Sequence, residues 1–249
     1  MKKMLIVVVG LMLSLTTQAF TLVIDAGHGG KDPGAIGRKC KEKEINLAVA
    51  LELGRLVTQN CPDVKVVYTR KTDTFVELNE RADIANKAKA DLFISIHVNS
   101  TAAKVGPQGT EIYTLGMHRA ADNLEVAKRE NSVITLESNY EQRYEGFDPK
   151  SSESYIIFEL MQDKNMEKSV ALAKQIQKQF RSTAKRVDKG VHQAGFLVLR
   201  ATGMPSALVE LGYINNPTEE QYLASTAGRA ALAKSIYNGF VAYKKANGK

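Results

Sequence analysis

Apolar runs that end in a polar residue constrain this chain most. TLVID (21–25), DLFISIH (91–97) and SALVEL (206–211) are nearly continuous, not alternating. A strand that is apolar on both faces must be covered on both, as happens inside a parallel sheet. VKVVYT (64–69), GTEIYT (109–114) and FLVL (196–199) read as three further strands. The intervening stretches supply the cover. Ile45, Val49, Leu53 and Leu56 recur at helical spacing between Glu44 and Gln59. Leu78 to Lys89 and about Thr218 to Tyr243 read as helices too. The pattern predicts an α/β fold: a single domain with a mostly parallel twisted sheet of about six strands flanked by helices.

Residues 118–190 break that rhythm. This stretch is polar and helical, with an irregular middle (SNYEQRYEGFDPKSSES, 138–154) and a predicted long helix from Ile157 to Phe180. It reads as a helical insertion in one domain, since no linker or repeat marks a second.

The first residues read as an address and not as part of the fold. Lys2 and Lys3 precede an apolar run from Met4 to Leu15, and Thr17-Gln18-Ala19 offers small residues for cleavage. Residues 1–19 are therefore expected to be a secretory signal peptide, with the catalytic domain at 20–249. The apolar run is too short for a comfortable span, so no stable membrane anchor is expected. The location follows: exported, periplasmic in a cell with an outer membrane, otherwise secreted or wall-associated. The chain has a formal charge of +7. A nucleic-acid partner would rest on that charge alone, because basic and aromatic residues do not interleave. Cys40 and Cys61 are the only cysteines. Export would permit a disulfide between them, and the spacing leaves the pairing open.

Three polar residues stand at strand ends. His28 follows TLVID in a glycine-rich loop, His97 ends DLFISIH, and Glu210 lies in SALVEL. Ligands of open α/β sheets bind beyond the carboxyl ends of strands, so three strands would deliver these side chains to one edge. Glu42, before the first helix, can reach the same place. Taken singly, each histidine reads as a structural residue bonded to backbone, and Glu42 as one charge of KCKEKE. Together, two imidazoles and a carboxylate form a usual ligand set for catalytic zinc, with a fourth position for water. Glu210, in an apolar segment, fits the general base such a site needs. His118 and His192 lack such context and read as surface residues.

IDAGHGGKDPGA, EKEINLAVA, FVELNERADIANKAKADLFISIHVNS and PSALVELGYINN resemble the zinc-dependent N-acetylmuramoyl-L-alanine amidases of the amidase type 3 group, which are bacterial cell-wall hydrolases. The resemblance runs from about Leu22 to the last helix and weakens between His118 and Asp188. It implies one zinc ion held by His28, Glu42 and His97, with Glu210 as the catalytic glutamate. Glu44 is the other candidate for the carboxylate ligand; Glu42 has the family's spacing to Asn46-Leu47. The implied reaction is hydrolysis of the amide between N-acetylmuramic acid and L-alanine in peptidoglycan, in wall remodelling or daughter-cell separation. Arg70 and Arg81 also lie in family-like motifs and read as salt-bridge residues that fix loops.

In division-associated members a helix in the inserted region covers the zinc until an activator protein displaces it. Ala127 to Phe147 could do the same here, with Glu130, Glu137 or Glu141 closing the zinc site; the other reading of the insertion is a substrate-contact or packing subdomain. Two alternatives remain at this level: a zinc peptidase acting within the stem peptide, and an inactive wall-binding module. The second predicts a missing ligand or base, yet all four residues are present.

Overall fold

In a computed structural model, which describes residues 20–118, 120–160 and 163–247, the apolar runs pair into one six-stranded sheet. The expected signal peptide lies outside the described residues. The strands are β1 (Phe20–Ala26), β2 (Val64–Tyr68), β3 (Leu92–Asn99), β4 (Thr110–Leu115), β5 (Asp188–Ala194) and β6 (Ser206–Tyr213). Their order is β2-β1-β3-β6-β4-β5. β2, β1, β3 and β6 run parallel. β4 is antiparallel to β6, and β5 is parallel to β4. The carboxyl ends of β1, β3 and β6 therefore share one edge with the amino ends of β4 and β5.

The helices are α1 (Glu42–Asn60), α2 (Leu78–Lys87), α3 (Ala121–Asn131), α4 (Tyr140–Arg143), α5 (Ile157–Leu160), α6 (Met166–Ser182), α7 (Leu197–Arg200), α8 (Pro217–Ala224) and α9 (Thr226–Asn247). α1, α6 and α9 cover one face, where Leu22, Ile24, Ile94, Ile96 and Val209 are buried. The opposite face, with Val23, Phe93, Tyr113 and Leu208, is covered by α2, α7 and the 121–158 region. Alternation along β3 puts Ile94 and Ile96 on the first face, and Ser95, His97 and Asn99 on the second.

Four expectations change. FLVL is mostly helix α7, not a strand. So short a run is ambiguous by periodicity, and Leu197, Val198 and Leu199 are buried either way. The predicted helix from Ile157 to Phe180 is two helices, α5 and α6, the second starting at Met166. The last predicted helix is also two. Ser225 ends α8, and its hydroxyl accepts from Gly228 N at 2.9 Å, so it is the N-cap of α9. β5, whose first three residues fall in the stretch read as helical, is a strand of DKGVHQA at the sheet edge. Half-exposed edge strands tolerate such polar, low-propensity residues.

Cys40 and Cys61 are both free thiols. They flank the 19-residue α1, whose length of about 28 Å is far beyond disulfide reach.

Candidate metal centre

The loop after β1 turns sharply at its histidine. His28 has a φ of 59°, in the left-handed region that non-glycine residues rarely adopt. The neighbouring glycines leave room for side chains. A Cβ on Gly27 would stand 2.4 Å from the His97 ring, and one on Gly34 2.7 Å from both Glu42 Oε2 and His28 Cδ2.

The register pairs His97 directly with Glu210 across β3 and β6. Glu42, the first residue of α1, is wholly buried beneath the loop. Glu130 enters from the last turn of α3. His28 Nε2 lies 3.1 Å from both Glu42 Oε1 and Glu130 Oε2. His97 Nδ1 lies 3.2 Å from Glu42 Oε1 and 2.9 Å from Glu130 Oε2. All four donor atoms lie within 4.8 Å of one another. Yet His28 Nε2, His97 Nδ1 and Glu130 Oε2 are buried and make no hydrogen bond. Close polar atoms that fail to bond are not aimed at each other. Their lone pairs converge on a shared centre, and two nitrogens with two carboxylate oxygens suit a tetrahedral cation. This buried group could hold a metal ion.

The surroundings hold these donors in place. His28 Nδ1 donates to Asp32 Oδ2 at 2.7 Å, which leaves the Nε2 lone pair free. Glu42 accepts from Val98 N (2.8 Å), Asn46 Nδ2 (3.2 Å) and Ala35 N (2.8 Å). Burial opposes charge on every member, but the mutual charges win. Glu42 lies below the usual carboxylate range despite burial, chiefly through His28. Glu130 lies well below it, held there by Arg129 and His97. The carboxylates raise His28 well above its ordinary value and His97 to about 9, against their burial.

Glu210 stands beside this group but outside it. It is wholly buried, and neither oxygen has a hydrogen-bond partner. Burial first, then the Glu130 charge, push its pKa well up, and Arg129 and His97 offset this only in part. Arg129 Nη2 binds Glu130 Oε1 at 2.8 Å and lies 3.7 Å from Glu210 Oε1.

The remaining candidates separate cleanly. Glu44 bonds to the Lys41 backbone N–H at the start of α1, away from the cluster. Glu141 belongs to exposed α4. Glu137 is buried elsewhere, accepting from Leu78 N at the start of α2 and from the Tyr144 hydroxyl, both at 2.8 Å. His192, read from sequence as a surface residue, is half-buried against the Tyr113 ring. Arg81 forms a buried ion pair with Asp25 at 2.8 Å and donates to the carbonyls of Ala26 and His28. Arg70 donates to the carbonyls of Ala26, Gly27 and Lys43. Both arginines hold the loop that carries His28.

Fold and site together define an α/β protein with a buried metal-donor set and an adjacent carboxyl group at the carboxyl edge of its sheet. Residues 22–242 match the family described as N-acetylmuramoyl-L-alanine amidase. Among curated relatives, N-acetylmuramoyl-L-alanine amidase AmiA of Escherichia coli (strain K12) is 33% identical over 226 residues, 89% of this chain and 75% of the relative. An N-acetylmuramoyl-L-alanine amidase from Clostridium difficile 630 has a similar structure, with a TM-score of 0.70, 27% identity and coverage of 93% and 100% of the two chains. The catalytic domain of CwlV from Bacillus (Paenibacillus) polymyxa var. colistinus gives a TM-score of 0.66 at 32% identity, covering 91% and 98%. The chain belongs to the N-acetylmuramoyl-L-alanine amidase family, and its activity is that of a peptidoglycan amidase.

Proposed function

We propose that this protein is an exported, zinc-dependent amidase whose site is closed by its own Glu130 until a partner withdraws that residue. One observation carries the reading: Glu130 Oε2 lies beside His28 Nε2 and His97 Nδ1 with no hydrogen bond of its own. His28, Glu42 and His97 would hold the ion. A bound zinc would polarise the scissile carbonyl and lower the pKa of water. Glu130 then occupies the position that an open catalytic site keeps for water and substrate.

The chain's own residues do the rest. Glu210 takes the proton from the attacking water and returns one to the leaving L-alanine amine, as general base and then acid. Its buried position beside His97 keeps that proton within the site. Asp32 holds the His28 tautomer, and Arg81 holds the loop that carries it. Residues 118–190 act as a regulatory insertion in the 20–249 catalytic domain, and an activator protein would dislodge α3. Among the described residues, no helix is long and apolar enough to cross a membrane.

The test uses purified protein without residues 1–19. Bound zinc is measured, peptidoglycan is digested, and products are identified by mass. Free stem peptides beginning with L-alanine are expected, weakly from the wild type and more strongly from Glu130→Ala. Cleavage within the stem peptide would show a peptidase instead. Equal rates in the wild type and Glu130→Ala would remove autoinhibition from the reading. The point substitution is the right variant, because removing 127–147 would also take Ile134, Tyr144 and Phe147 out of the core.

A further inference from the structure

We propose that the groove beside the site, along β6, β4 and β5, is a subsite for an acidic peptide, recognised by Asn99 and Lys189. On the amidase reading, on which this rests, that peptide is the stem peptide on the leaving side of the cleaved amide.

The groove has a volume of roughly 720 Å³, and Glu111, the cross-strand neighbour of Glu210, lines it. Its sheet-side wall comes from the same edge that carries the site. Glu111 pairs with Glu210 across β4 and β6, and His192 with Tyr113 across β4 and β5. That wall belongs to the sheet and does not depend on where α3 sits.

Asn99 is wholly buried and lines the groove. Its Nδ2 donates to Glu111 Oε1 at 2.6 Å, and its Oδ1 has no partner. The paired amide nitrogen fixes the orientation of the group. The remaining carbonyl oxygen is an acceptor that calls for an N–H, which a peptide backbone supplies.

At the far end stands Lys189, its Nζ 5.5 Å from the Tyr213 ring centre. No carboxylate among the described residues pairs with this ammonium. The nearby Glu111 is already engaged. It accepts from Asn99 and from the Tyr213 hydroxyl, and His192 Nε2 lies 3.7 Å away. Two acids on the rim, Asp122 and Glu125, belong to α3, and Glu125 is paired with Lys128. The strand wall thus presents one unused acceptor and one unmatched cation.

Spacing decides which ligand group meets that cation. From β6 to β5 is two strand spacings, roughly 10 Å. An extended peptide advances about 3.4 Å per residue, so the charge belongs two or three residues beyond the cleaved bond. The glycan of peptidoglycan is uncharged where its lactyl groups are amide-linked. The stem peptide carries free carboxylates after its first, neutral L-alanine, and so it is the occupant with matching charge.

The probe is the tripeptide L-alanyl-γ-D-glutamyl-L-lysine, compared with the same peptide amidated at the glutamyl α-carboxylate. Binding to the chain lacking residues 1–19 is followed by calorimetry and NMR. The acid form is expected to bind about tenfold or more tightly than the amide. Lys189→Met should erase that preference and Lys189→Arg should keep it. Asn99→Leu, checked for folding by thermal melting, should weaken both peptides alike. Equal binding of the two peptides, a preference that survives in Lys189→Met, or no binding at millimolar peptide would overturn the proposal. Hydrolysis of a muramoyl peptide is measured on the same samples. Absent hydrolysis with peptide binding intact sinks the amidase reading and leaves the groove standing. Hydrolysis without acid preference does the reverse.

Discussion

Two carboxylates at the centre, Glu130 and Glu210, differ in what surrounds them. Glu130 faces two imidazoles and Arg129, and stays ionised. Glu210 faces Glu130 and few donors, and holds its proton more tightly. Such divergence is how one site separates a charge-bearing role from a proton-transfer role. Glu210→Gln is therefore expected to lower kcat by about 10²–10⁴-fold. Its bound zinc should be unchanged, because Glu210 supplies no donor atom to the group; zinc analysis beside the rate assay checks both halves. Asp32→Asn acts on the other side of His28. Losing the carboxylate that fixes the tautomer should weaken metal affinity about 10–100-fold. Most of kcat should return at saturating zinc, and a competition titration with a chelator would expose an unchanged affinity.

At the scale of elements, the end of α3 is clamped to the second sheet face. The Asn131 amide donates to Gly195 O (2.7 Å) and Tyr155 Oη (3.1 Å) and accepts from Leu197 N (2.9 Å). Two of these bonds tie the residue after Glu130 to the start of α7, and the third ties it to Tyr155 in the 153–156 turn. The turn that follows α3 is tied in turn by Glu137 at the start of α2. Asn131→Ala would strand the Leu197 N–H and the Gly195 carbonyl, a cost of about 1–3 kcal/mol. The expected result is faster hydrogen exchange across 121–137 together with faster hydrolysis. Glu130→Ala should raise hydrolysis with exchange little changed, so the pair separates loosening of the segment from removal of its carboxylate. Elements were also where sequence patterns misled. FLVL is mostly helix where a strand was expected, because burial in tertiary context outweighs four residues of local preference, whereas β5 forms at a half-exposed sheet edge that tolerates low strand propensity. Ser225, a small capping residue inside an apolar periodicity, was the overlooked sign that α8 and α9 are separate.

Across the whole molecule, a buried ion pair links the sheet to the site. Asp25 accepts from Arg81, Thr69 and Ser95, at 2.8, 2.6 and 2.6 Å. Burial alone would raise its pKa; the Arg81 charge and the two hydroxyls outweigh this and lower it. A depressed carboxyl pKa contributes stability above the unfolded value, near ~4, and loses it as pH falls through the folded value. Asp25→Asn leaves Arg81 buried without a counter-ion, so a loss of about 3–5 kcal/mol is expected at neutral pH. The gap in melting temperature between the wild type and the variant should be widest at neutral pH and close below pH ~4. A gap independent of pH would mean that the pair contributes packing and not charge. The proposed zinc would add a second global term: a chelator should lower the melting temperature, and added zinc should restore it, because the donors converge only in the folded chain.

What the sequence determined by itself follows from local chemistry. Apolar runs bounded by His28, His97 and Glu210 require a buried sheet, and its strand ends must deliver those residues to one edge. The resembled family's spacing to Asn46-Leu47 was enough to favour Glu42 over Glu44. Tertiary structure alone decided between Glu130, Glu137 and Glu141, three carboxylates within twelve residues of similar local context. Only the crossing of α3 over the site brings Glu130 to the imidazoles while Glu137 turns to the start of α2. The unmatched Lys189 was equally invisible. It lies 92 positions from His97 in the chain, and the turn from parallel to antiparallel pairing at β4 puts both on one edge. Periodicity records which face of an element is buried, but not which distant side chain meets it there.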